Sequence, residues 1–161
     1  MRKLLGLIFL SLCLFLVWHW SYASESCSKE QTKCEQAIEI LHSIKKYEYV
    51  WGGESVKEGG FDCSGMLHYI HRMINRPIPR TTAKKMWILA EGEKKHWEKG
   101  QCLDWTWFTL QPQRPYGHIG LHTKENNFWQ SGSSTGPSPE VFWKGNFWDE
   151  HHVGTKDPKV E

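Results

Sequence analysis

The chain has 161 residues, 39% of them hydrophobic and 14% aromatic, enough for one domain with its own core. Its formal charge of +2 rests wholly on Arg2 and Lys3, and the remaining basic side chains balance the acidic ones. That balance removes the electrostatic motive for a nucleic-acid partner, and none is expected.

Arg2-Lys3, the mostly apolar run from Leu4 to Trp18 and the small-residue pattern Ser21-Tyr22-Ala23 form a secretory signal expected to be cut after Ala23. The apolar run is short for a membrane span of about 20 residues. An uncleaved anchor would be the one route to the membrane. A lipoprotein site at Cys13 is disfavoured because bulky Leu12 precedes it. Residues 24–161 are then a single exported domain, placed in the periplasm, envelope or medium and expected to be monomeric. Cys27 and Cys34 can pair with each other, or Cys102 can take one of them. No close cysteine spacing suggests a metal, and no cofactor is implied.

Lys33 to Lys46 places Ala37, Ile38, Leu41 and Ile44 on one helical face. Tyr49-Val50-Trp51 reads as a strand end entering Gly52-Gly53, where glycines permit a backbone closed to other residues. Phe61-Asp62-Cys63-Ser64-Gly65 is a sharp turn into a second helix, because Met66, Leu67, Ile70, Met73 and Ile74 recur at helical spacing until Asn75-Arg76-Pro77 stops them. Cys63 therefore sits at a helix start, where the backbone dipole is expected to lower the thiol pKa. Thr81 or Thr82 can cap a short helix running to about Ala90.

The second half changes to strands at Leu103 to Thr109, His118 to Thr123 and Phe128 to Ser131, with at least one more between Trp143 and Gly154. Helices followed by a meander predict an α+β domain. His118 and Gln130 lie an even number of residues apart across a predicted hairpin and so share one face. A histidine oriented by an amide and aimed at a helix-borne thiol is what nucleophilic acyl transfer requires. Trp51, Trp105, Trp107 and Trp129 could stack on glycan rings, although large aromatics more often serve the core. Adjacent His151 and His152 would point to opposite faces of a strand rather than to one ion.

Five stretches, taken in order, resemble the NlpC family of bacterial cell-wall cysteine peptidases: Tyr49 to Gly53, Phe61 to Gly65, Ile78 to Thr82, Gly117 to Leu121 and Phe147 to Gly154. The resemblance implies a papain-like fold in which the nucleophile-bearing helix packs on an antiparallel sheet. It implies a peptidoglycan endopeptidase with Cys63 as nucleophile, His118 as base and Gln130 as the third polar group. Its substrate would be a stem peptide, cut between D-glutamate and the diamino acid. Tyr49, Asp62, Ser64 and Thr82 match substrate-contacting positions, with Asp62 and Ser64 holding a free stem amine. The chain departs from the family at Leu103-Asp104, where a Gly-Asp pair is usual, and at Lys85, where Gln is usual. Another exported amidase activity on the same fold, or a wall-binding module without catalysis, are the alternatives.

Overall fold

A computed structural model describes residues 32–159. The signal segment, Cys13 and Cys27 lie outside them. Among the described residues no helix is long and apolar enough to cross a membrane.

Helix α1 (32–44) buries Ala37, Leu41 and Ile44, the face expected from its spacing. The segment around Tyr49 is a loop and not a strand end, with one isolated bridge between Glu48 and Gly60. Short strands β1 (Glu54–Ser55) and β2 (Gly60–Phe61) then pair with each other and deliver the chain to α2 (Cys63–Met73). Helix α2 buries Met66, Leu67 and Ile70 completely, each stabilising the packed state by about 1.5–3 kcal/mol. Helix α3 (Ala83–Leu89) is capped by Thr82, whose hydroxyl accepts from the Lys85 N–H at 3.3 Å.

The sheet contains β3 (Trp105–Phe108), β4 (His118–Lys124), β5 (Asn127–Gly132), β6 (Gly136–Val141) and β7 (His152–Lys156), in the order β6-β5-β4-β3-β7 and antiparallel throughout. Strand β6 carries no sequence signal, since Pro137 and Pro139 argue against a strand; it is an edge, where a missing N–H costs no ladder bond. Helix α4 (Phe147–His151), capped by the Asn146 side chain, was also not expected. It leaves His151 ending a helix and His152 opening β7, rather than side by side in one strand.

Alternation along the strands builds two cores. One face, with Trp105, Trp107, Ile119, Leu121 and Trp129, packs on α1, α2 and α3; the Trp107 indole N–H donates to the Ala83 carbonyl at 2.9 Å. The other face carries Phe108 and Phe128, which join Trp97, Phe142 and Trp148 in an aromatic cluster. His118, His122 and Gln130 lie on this second face, because they share the parity of Phe108 and Phe128 in the strand register. Strand β3 begins two residues later than expected, because Leu103 has φ of 73°. That left-handed backbone suits the glycine usual in the family and costs a leucine about 1–2 kcal/mol, offset here by burying the side chain.

Candidate active site

The site begins with an N-cap. Asp62 has extended backbone and its Oδ1 accepts from the Gly65 N–H at 2.6 Å, which starts α2 one residue later at Cys63. Gly65 is required by packing: a Cβ there would run into the Gly53 carbonyl. Gly65→Ala is therefore expected to force α2 away from the Gly52-Gly53 loop. A loss of several kcal/mol of stability, on the order of the cost of overpacking a core, should appear in urea unfolding together with a fall in activity. Unchanged stability would show that this contact does not seat the helix.

Cys63 is about nine-tenths buried and is the free cysteine among the described residues; Cys34 and Cys102 are disulfide-bonded. The backbone N–H groups of Ile119, Ser64 and Cys63 itself stabilise a thiolate, as expected of a helix start. Burial and the neighbouring Asp62 charge outweigh them and push the thiol up to about 11. The expected lowering thus fails at the buried thiol, because desolvation of the anion exceeds what three dipoles return.

The Ile119 N–H that stabilises the thiolate belongs to the residue after His118, so the strand that carries the imidazole also meets the Cys63 turn. The approach to β4 is a tight turn in which Gly117 N–H donates to the Arg114 carbonyl and Tyr116 adopts φ of 57°. Tyr116 stacks on Trp87 with centroids 4.6 Å apart. His118 is buried and its Nε2 lies 3.1 Å from Gln130 Oε1. An amide oxygen only accepts, so Nε2 carries the proton and Nδ1 keeps a lone pair. Burial pushes His118 down to about 4 despite the Gln130 bond. Burial thus opposes both the thiolate and the imidazolium in the resting site.

Tyr49 lines two adjoining clefts with His118, of about 320 and 290 Å³. Its hydroxyl pKa is raised, first by burial and then by the Cys63 and Asp62 charges. Trp51 stands at the rim, 79% exposed, whereas Trp105, Trp107 and Trp129 are buried in the core and offer no face to a glycan.

The substrate positions are more occupied than expected. Asp62 Oδ1 also accepts from the Ser64 hydroxyl at 2.9 Å, and Oδ2 accepts from the Gly52 N–H at 3.1 Å and from Arg80 at 2.7 Å. Arg80 further donates to Ser64 Oγ at 2.8 Å and pairs with Glu54 at 2.8 Å. Asp62 and Ser64 thus belong to a half-buried polar network, and Thr82 is engaged as the cap of α3. Arg80, Arg114 on the cleft wall and Glu140 beside Gln130 are contributors that sequence spacing did not single out. The Asp before the helix-starting Cys was the one available signal for the cap.

The NlpC/P60 family's sequence profile matches residues 46–156. The chain is 30% identical over 118 residues to murein DD-endopeptidase MepH of Escherichia coli (strain K12), covering 73% of this chain and 42% of that protein. It is 28% identical over 115 residues to gamma-DL-glutamyl hydrolase of Bacillus subtilis (strain 168), covering 66% of this chain and 27% of the relative. The chain spans under half the length of the curated relatives it matches. Its fold is similar to that of the peptidoglycan hydrolase RipB of Mycobacterium tuberculosis, with a TM-score of 0.60 at 20% identity over 83% of this chain and 68% of the other. An NLP/P60 lipoprotein-like protein of Staphylococcus aureus gives a TM-score of 0.65 at 20% identity over 78% of this chain and 41% of the other. With a helix-borne thiol set against a sheet that carries a paired His and Gln, and with the family's motifs matched in one run, the chain belongs to the NlpC/P60 family.

Proposed function

We infer that the chain is an exported thiol endopeptidase acting on peptidoglycan stem peptides, with Cys63, His118 and Gln130 as its catalytic set. The observation that carries this reading is the buried His118–Gln130 bond at 3.1 Å on the strand whose next N–H stabilises the Cys63 thiolate. In the proposed cycle His118 Nδ1 takes the thiol proton as Sγ attacks the amide carbonyl. The tetrahedral oxyanion draws on the Cys63 N–H and the Tyr49 hydroxyl. His118 then protonates the leaving amine, a thioester remains, and His118 activates the water that hydrolyses it. Gln130 keeps the ring in the tautomer that makes Nδ1 the base.

The proposed bond is that between D-glutamate and the diamino acid, and the relative named gamma-DL-glutamyl hydrolase supports it. A second reading, cleavage of the DD crosslink, is supported by the relative named murein DD-endopeptidase and by the network around Asp62. Four groups already donate to that carboxylate, so a free stem amine would have to displace Arg80. A cut that needs no free stem terminus suits peptides still attached to glycan.

Mass spectrometry of purified muropeptides and intact sacculi after incubation with the protein separates the two. New fragments beginning at the diamino acid are expected for the first bond, and conversion of crosslinked dimers to monomers for the second. If folded protein leaves both substrates uncut, the endopeptidase reading fails and wall binding takes its place.

A further inference from the structure

Gln130 orients His118 only if its own amide faces the right way. A flipped amide would present its NH₂ to the imidazole and favour the opposite tautomer, with the proton on Nδ1 and no lone pair there for the thiol. The Nε2 of Gln130 has three acceptors in range: Ser138 Oγ at 2.9 Å, Glu140 Oε1 at 3.3 Å and Thr135 Oγ1 at 3.5 Å. The two hydroxyls discriminate less firmly: Thr135 Oγ1 has the Gly136 carbonyl at 3.2 Å as an acceptor and Ser138 Oγ at 3.1 Å as a neighbour, but either hydroxyl can rotate to donate to an amide oxygen. The ionised carboxylate only accepts, so a flipped Gln130 would set oxygen against oxygen. Glu140 is thus the one of the three acceptors that no rotation can turn into a donor.

The same carboxylate holds a second part of the site. Its other oxygen, Oε2, accepts from the Trp148 indole N–H at 2.9 Å. Trp148 lies nearly parallel to the His118 ring, at an interplanar angle of 21° with centroids 6.1 Å apart, and packs edge-on against Phe108 and Phe128. Glu140 reaches both partners because β6 pairs with β5 in a register that sets Ser138 opposite Gln130 and Glu140 opposite Phe128, on the same face. Space for the amide comes from Gly132, where a Cβ would stand 2.9 Å from Gln130 Oε1.

We propose that Glu140 is a positioning residue for His118: through Gln130 it selects the imidazole tautomer that can accept the thiol proton, and through Trp148 it fixes the wall against which the ring rests. Its consequence for turnover rests on the thiol endopeptidase reading above; its consequence for the tautomer does not. A glutamine at position 140 could donate to a flipped Gln130, so the discrimination would vanish while size and packing are kept.

The test is two-dimensional ¹H–¹⁵N NMR of the histidine side chains in substrate-free protein near pH 7, with wild type beside Glu140→Gln and Glu140→Ala. The wild type should show His118 protonated on Nε2, and both variants a mixture or the Nδ1–H form. Steady-state cleavage of muropeptides should show kcat reduced on the order of 10- to 100-fold with KM changed little, by analogy with the loss of outer-shell groups that orient metal-bound histidines. A His118 that stays fully Nε2-protonated in both folded variants would overturn the proposal. So would a rise in KM at unchanged kcat, which would make Glu140 a substrate contact. A shifted tautomer in a protein that cuts no muropeptide would support the positioning role while removing the endopeptidase reading.

Discussion

Cys63→Ala is expected to lower turnover on muropeptides by at least about 10⁴-fold while leaving their binding within a few-fold of wild type. The sulfur supplies the attacking electron pair, and no other described side chain can stand in for it in the proposed cycle; what remains is polarisation of the carbonyl by backbone N–H groups. The fold should persist, because the change removes one atom from a site seated by the Asp62 cap and the Gly65–Gly53 contact rather than by the thiol. Cys63→Ser should be almost as inactive, since a neutral imidazole held near pKa 4 is a poor base for a hydroxyl. Single-turnover assays with product analysis check both variants, and binding of the uncut muropeptide to Cys63→Ala by calorimetry separates chemistry from affinity. Residual hydrolysis within about tenfold of wild type would remove Cys63 from the nucleophile's role.

Mild acid should lower the protein's stability, and the cause lies on the aromatic face of the sheet. His118, His122 and His152 are each held down to about 4, in every case chiefly by burial. His122 is only 1% exposed and is stacked at 17° on Phe142, and the backbone at Glu125 offsets only part of the cost of burying its charged form. In the unfolded chain such groups take a proton near pH 6.5. Between about pH 6.5 and 4 the unfolded state therefore binds more protons than the folded one, so stability is full above that window and falls as the pH drops through it. A fall from 6.5 to about 4 corresponds to roughly 3 kcal/mol for each well-buried ring, and less for His152, which keeps some contact with water. Even one such ring is a sizeable share of the stability of a typical domain, about 5–15 kcal/mol. Urea unfolding followed by circular dichroism at pH 7, 6, 5 and 4.5 should show the midpoint falling steeply. His122→Phe should move the acid limit lower by removing one of the three protonations. A midpoint that is flat from pH 7 to 4.5 would show that these rings can take up protons in place.

The pattern Cys63, Met66, Leu67, Ile70 was enough to place a helix and to put the cysteine at its start, because a 3.6-residue period is local and needs no partner. The alternation from His118 onward likewise placed β4 and β5 and put His118 and Gln130 on one face. The prolines in β6 and the five-residue α4 carry no such period. Both exist because the edge of β5 and the exposed flank of Phe108 and Phe128 need cover, which is a property of the assembled sheet. Leu103 shows the same limit from the other side: only the buried pocket for its side chain explains a non-glycine in left-handed backbone.

What the sequence by itself determined is the α+β order of elements, the helix-borne thiol and the His–Gln pair, all of which follow from short-range spacing together with the family's motifs. What only the tertiary structure decided is everything that depends on what surrounds those groups. Burial reversed the expected shift of the Cys63 thiol, since desolvation depends on packing from every side. Arg80 arrived from 18 residues beyond Asp62 to occupy the carboxylate expected to hold a substrate amine. Glu140 came to govern the direction of the Gln130 amide through a strand pairing that neither proline announces. Charge and hydrogen-bond partners act over a few ångströms of space, and the chain brings those groups together only by folding.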